Sequence, residues 1–88
     1  MDDARDAPAS ALVLRPVTVP PGSCRPYRED DWRDALVVVK RGEIELESMS
    51  GVSHRFTCGD LLWLTGLPLR ALHNRGSEPT LLVVVSRR

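Results

Sequence analysis

Short β-branched, apolar runs recur along this chain at intervals of about ten residues, and none has the 3.6-residue period or the length of a helix. They read ALVLRPVTVP (11–20), ALVVVK (35–40), EIELES (43–48), VSHRFT (52–57), LLWL (61–64), LRALHN (69–74) and TLLVVVS (80–86). In EIELES, Ile44 and Leu46 alternate with Glu43, Glu45 and Glu47. A period of two buries one face of a strand and wets the other. Turn formers stand between the runs: Pro20-Pro21-Gly22, Gly42, Gly51, Cys58-Gly59-Asp60, and the polar stretch from Asn74 to Pro79. Pro16 confines the first run to a sheet edge or a bulge, because proline cannot donate to a ladder. ALVVVK and EIELES are expected to pair as a hairpin turning near Gly42. In CRPYREDDWRD (24–34), Pro26 opposes a helix around it, and Glu29-Asp30-Asp31 reads as a solvated loop or an edge strand. The pattern predicts an all-β sandwich or barrel.

At 88 residues the chain suits one domain. Residues 1–10 are polar and aperiodic and read as a flexible tail, which leaves 11–88 for the barrel. A chain this short buries only ~60% of its unfolded surface, so its core is marginal. A homodimer built on ALVVVK or TLLVVVS would cover exposed sheet. Twelve Lys plus Arg balance twelve Asp plus Glu, which argues against nucleic acid as a partner. No window approaches the roughly 18 apolar residues of a membrane span. The opening MDDARDAPAS is acidic and lacks the apolar core of a signal peptide, so the expected location is the cytoplasm. Cys24 and Cys58 are then expected as reduced thiols, since neither CxxC nor HxxxH spacing occurs.

Gly22, Gly42, Gly59 and Asn74 are spaced as in the cupin family, small jelly-roll β-barrels with two sequence motifs. The first motif places Gly, five residues, His, one residue, His, three or four residues, Glu, six residues, Gly, and it resembles Gly22 to Gly42 without a gap. The second places Gly, five residues, Pro, one residue, Gly, two residues, His, three residues, Asn, and it resembles Gly59 to Asn74. The resemblance implies a single-domain cupin jelly roll. It also implies where a divalent metal would be held, and there the chain departs from the family. The four ligand positions carry Arg28, Asp30, Ala35 and Arg70, and the second motif's Pro and inner Gly are Thr65 and Leu67. Guanidinium has no lone pair to donate and repels a dication. The resemblance therefore implies a degenerate metal site with no cofactor.

On that alignment Arg70 enters the barrel mouth, with Arg28 on an adjacent strand and Asp30 on the same side two residues later. Arg28, Asp30 and Arg70 would then bind a small anionic ligand, because guanidinium forks match carboxylate or phosphate. Alternatives are a salt bridge from Asp30 to Arg70 or Arg28 plugging the emptied site, or a solvated Arg28–Asp30 segment. His73, three residues past Arg70, is expected to face the other way, and His54 to lie on the surface. A rebuilt metal site would have to draw on Asp30, Asp60, His54, His73, Cys24 or Cys58. Trp32 and Trp63 read as core or interface residues, Trp63 with the further option of a pocket wall. Tyr27 offers a hydroxyl. With Asp30 beside two arginines its pKa would fall, which argues against general-base chemistry and against an enzyme. Three functions follow: a metal-free accessory module binding a small acid, a cupin enzyme (oxygenase, isomerase or cyclase type) with a rebuilt metal site, and a structural partner whose barrel is filled by side chains.

Overall fold

A computed structural model describes residues 12–87. The tail expected at residues 1–10 lies outside the described residues. Eight strands and one short helix follow in the order β1 (Leu12–Val19), β2 (Cys24–Pro26), α1 (Glu29–Trp32), β3 (Leu36–Arg41), β4 (Glu43–Ser48), β5 (Ser53–Thr57), β6 (Leu61–Trp63), β7 (Leu69–His73) and β8 (Thr80–Arg87). All pairs are antiparallel. They form two four-stranded sheets, β1-β8-β3-β6 and β2-β7-β4-β5, and most neighbours are distant in sequence, as in a jelly roll. Pro16 sits on β1, which pairs with β8 alone and so is an edge strand.

Alternation decides which residues face inward. Val17 and Val19, Val37 and Val39, Leu62 and Leu64, and Leu82 and Val84 come from the first sheet and its loop. Ile44, Leu46 and Leu72 come from the second, and Trp32 and Ala35 from α1 and the turn after it. These side chains fill the space between the sheets.

Two expectations from the sequence are corrected. ALVVVK and EIELES do not form a hairpin: β3 pairs with β6 and β8, while β4 pairs with β5 and β7. Gly42, at φ 80°, is a corner where the chain crosses from one sheet to the other. A Cβ there would lie 2.8 Å from the Thr80 hydroxyl and 2.9 Å from the Pro79 carbonyl, so glycine is needed for space as well as conformation. The Thr80 hydroxyl in turn donates to the Glu43 carbonyl and ties the corner down. The second correction is α1, a single turn where a loop or edge strand was expected. Its first turn holds Glu29, Asp30 and Asp31, which complement the exposed N–H groups of a helix start. One turn is too short to leave a periodic signature.

Candidate functional site

The two cupin motifs meet in space where β2 and its continuation run beside β7: the Tyr27 amide donates to the Arg70 carbonyl at 2.9 Å. The side chains at the metal-ligand positions do not converge with that backbone. Arg28 is the exposed residue preceding α1. Asp30 is exposed on α1 and pairs with Arg33 at 3.4 Å, rather than with Arg28 or Arg70. The rule that residues two apart share a face holds for strands and fails on this helical turn. Ala35 is buried in the core.

Arg70 reaches toward β4, on the flank of β7 opposite β2. It donates to the Met49 carbonyl at 2.9 Å and lies 3.9 Å from the Glu47 carboxylate, half exposed. The cause is a bulge. Glu47 is opposite Ala71 and Ser48 is opposite Leu69, so Arg70 is the extra residue. Leu69 and Leu72 both pack on the core although they are three apart, and Arg70 is displaced from the barrel mouth. The same slip corrects His73. It shares a carboxylate with Arg70 instead of facing away, its Nε2 lying 2.8 Å from Glu47 Oε1.

The outer face of β4 is thus a charge ladder. Glu47 meets His73 and Arg70, Glu45 meets Arg75 at 2.7 Å, and Glu43 meets Arg55 at 3.2 Å. The His73 hydrogen bond holds the Glu47 carboxyl below its ordinary range, against the opposing pull of desolvation, with the His73, Arg70 and Arg75 charges adding to it. A depressed carboxyl stabilises the fold above its unfolded pKa, and that contribution fades as pH falls through the folded value.

Trp32 occupies the interior. It is fully buried, stacks on Tyr27 with ring centroids 6.5 Å apart, and has the guanidinium carbons of Arg15 and Arg25 at 5.9 and 5.8 Å from its ring. Arg15 is held there by its bond to the Asp31 carbonyl at 2.6 Å. The indole Nε1 has no hydrogen-bond partner among the described residues. The Tyr27 hydroxyl donates to Glu29 at 2.9 Å, with the Leu64 carbonyl 3.4 Å away. Burial first, then the hydrogen bond to Glu29 and its charge, push the Tyr27 phenol up to about 12. Tyr27 is the chain's one tyrosine, so its phenolate absorbance reads this directly. The expected titration midpoint is about 12 instead of the ordinary 10. Because the folded state holds the proton longer, stability falls as pH rises through that interval. Glu29→Gln is expected to lower the midpoint by removing the charge. A midpoint at the ordinary value in the folded protein would mean Tyr27 is not packed on Trp32 as described.

His54 is exposed on β5, and Cys24 and Cys58 are exposed free thiols. Among the described residues no three His, Cys, Asp or Glu side chains converge to hold a metal ion. The donor set at the family's ligand positions, two arginines, an alanine and one aspartate paired with Arg33, does not fit a divalent metal. No helix among the described residues is long and apolar enough to cross a membrane.

No family model matches the sequence, and no curated protein matches it. Solved structures do. A Cupin 2 conserved barrel domain protein from Salinispora arenicola is 21% identical, with TM-score 0.61 over 85% of this chain and 61% of that one. A sugar phosphate isomerase from a cupin superfamily, from Silicibacter pomeroyi, is 28% identical, with TM-score 0.60 over 89% of this chain and 52% of that one. The Cupin_2 domain of an XRE family transcriptional regulator from Enterobacter cloacae is 19% identical, with TM-score 0.56 over 85% of this chain and 94% of that one. The chain therefore spans 52 to 61% of the first two proteins and nearly the whole of the third. Its fold is that of the cupin jelly-roll barrels it resembles.

The plug and the ladder were both partly legible. Glu43, Glu45 and Glu47 announce an outward polar row by alternation alone. Trp32 gave only its size and apolarity, and no local signal says that it turns into the barrel.

Proposed function

We propose that this chain is a metal-free, non-catalytic cupin-fold module that acts by binding at its surface, as an accessory or regulatory component. The observation that carries the reading is Trp32. With the core aliphatics it fills the space between the two sheets with side chains. The neighbours include both a domain of a transcriptional regulator and a sugar phosphate isomerase, so the reading rests on the filled interior and not on them. A narrower form, in which a small acid sits between Arg28 and Arg70, requires Arg70 to leave Glu47 and the Met49 carbonyl.

Elemental analysis of protein purified without chelator or affinity nickel tests the reading. The expected result is far less than one metal ion per chain. One tightly held zinc, iron, manganese or nickel would overturn it and direct attention to Asp30, His54, Cys58 and His73 as ligands of a metal-dependent enzyme. An NMR titration with small carboxylates and phosphates, with Arg70→Ala as control, tests the narrower form. Millimolar binding abolished by Arg70→Ala would establish the acid pocket in place of surface binding.

A further inference from the structure

The two exposed thiols have opposite surroundings. Cys58 Sγ donates to the Lys40 carbonyl at 3.2 Å, beside a hollow lined by Glu43 and Glu78. Cys24 lines a hollow of about 360 Å³ together with His73 and Arg75. On β2 it stands directly opposite His73 of β7. The Asn74 amide donates to the Ser23 carbonyl and the Tyr27 amide to the Arg70 carbonyl, so the hydrogen-bonded pairs of this ladder fall at Ser23, Arg25 and Tyr27. Cys24 and His73 are therefore a non-hydrogen-bonded pair, the closer kind, with side chains on one face and Cβ atoms about 4.5–5.5 Å apart. From the other flank Glu47 orients the imidazole, its Oε1 lying 2.8 Å from Nε2. An ionised carboxylate only accepts, so Nε2 carries the proton of the neutral ring and Nδ1 keeps its lone pair. A thiol, a base and a carboxylate that orients the base thus follow one another across β2, β7 and β4.

We propose that Cys24 is a covalent modification site, which takes up a small carboxylate-bearing disulfide by thiol–disulfide exchange. His73 accepts the thiol proton through Nδ1. The Cys24 thiolate attacks one sulfur of the incoming disulfide, whose S–S bond breaks as the new S–S bond forms. Cys24 is oxidised to the mixed disulfide, and the departing half is reduced and leaves as a thiol with the proton that His73 held. Arg75 supplies the selectivity. Its Nε donates to Glu45 Oε1 at 2.7 Å, which leaves its Nη groups to meet a carboxylate. That bond and the Glu45 charge hold the guanidinium above its ordinary range against desolvation, and the charges of Glu47 and Cys24 add to it, so Arg75 is within electrostatic reach of the thiolate. At Cys58 the thiol proton is committed to a carbonyl, and among the described residues no histidine or arginine lines the hollow beside it. The exchange is independent of the metal-free reading, and metal content plays no part in its test.

The reduced full chain is incubated with oxidised glutathione, and both cysteines are followed by mass spectrometry of acid-quenched peptides. The mixed disulfide is expected on Cys24 about tenfold faster than on Cys58. Cystamine, a cationic disulfide, should narrow that gap, because Arg75 repels it and the acidic hollow beside Cys58 does not. These two comparisons use the wild-type protein, so the proposal can fail without any variant. His73→Gln keeps an amide for Glu47 and removes the base. It should slow glutathione addition at Cys24 several-fold, with Cys58 and the far-ultraviolet circular dichroism spectrum unchanged. Arg75→Gln should erase the preference of Cys24 for glutathione over cystamine. Equal rates at the two cysteines, a faster Cys58, or a Cys24 rate indifferent to His73→Gln in the folded protein each overturn the proposal. A disulfide-linked pair of chains in place of the glutathione adduct also overturns it.

Discussion

Trp32→Ala is expected to lower the unfolding free energy by about 3–5 kcal/mol, the range for emptying a buried aromatic site. Single domains have only about 5–15 kcal/mol in all, and small ones sit low in that range, so this variant should be close to unfolded at room temperature. Three losses combine. The transfer energy of the indole is forfeited, and a cavity opens in a core to which both sheets contribute Val, Leu and Ile side chains. The stacking of Tyr27 and the two guanidinium contacts disappear as well. Trp32→Phe keeps a ring for Tyr27 and removes the unpartnered Nε1, so it should cost less than half as much. Urea unfolding followed by circular dichroism measures both. A loss under about 1 kcal/mol for Trp32→Ala would mean that the indole does not plug the barrel, and the surface-binding reading would lose its main support.

Asn74→Ala should cost about 2–4 kcal/mol, because its side chain joins three segments and its buried partners are left unpaired. Asn74 is itself buried. Its Nδ2 donates to the Val19 carbonyl at 2.9 Å and to the Glu78 carbonyl at 2.8 Å, and its Oδ1 accepts from the Gly76 amide at 2.9 Å. The end of β1, the turn before β8 and the end of β7 are thereby held together. Its backbone bonds to Gly22 and Ser23 survive the substitution, so the loss belongs to the side chain. Asn74→Asp separates shape from charge. It can still accept from Gly76 but turns a carboxylate toward two carbonyl oxygens. Its deficit should therefore grow as pH rises and the buried group is driven to ionise. Urea midpoints for both variants at two pH values check this, and equal deficits for Asp at both would refute the clamp geometry.

Among the candidate site residues, the sequence was informative about chemistry and silent about direction. That arginine at positions 28 and 70 cannot ligate a metal follows from guanidinium itself. Where those arginines point does not follow, since a single inserted residue at Arg70 reverses the faces of β7.

The strands were set by local alternation and β-branching, and their ends by glycine, proline and asparagine, whose preferences act over a few residues. Pro16 at an edge, Gly42 at a corner and Asn74 in a turn all follow from the residue types. The tertiary structure alone decided that β3 and β4 part company at Gly42, that Arg70 bulges out to Glu47, and that Trp32 enters the barrel. Each of these depends on which distant strand lies alongside, and that is chosen by burying the most apolar surface from both sheets together.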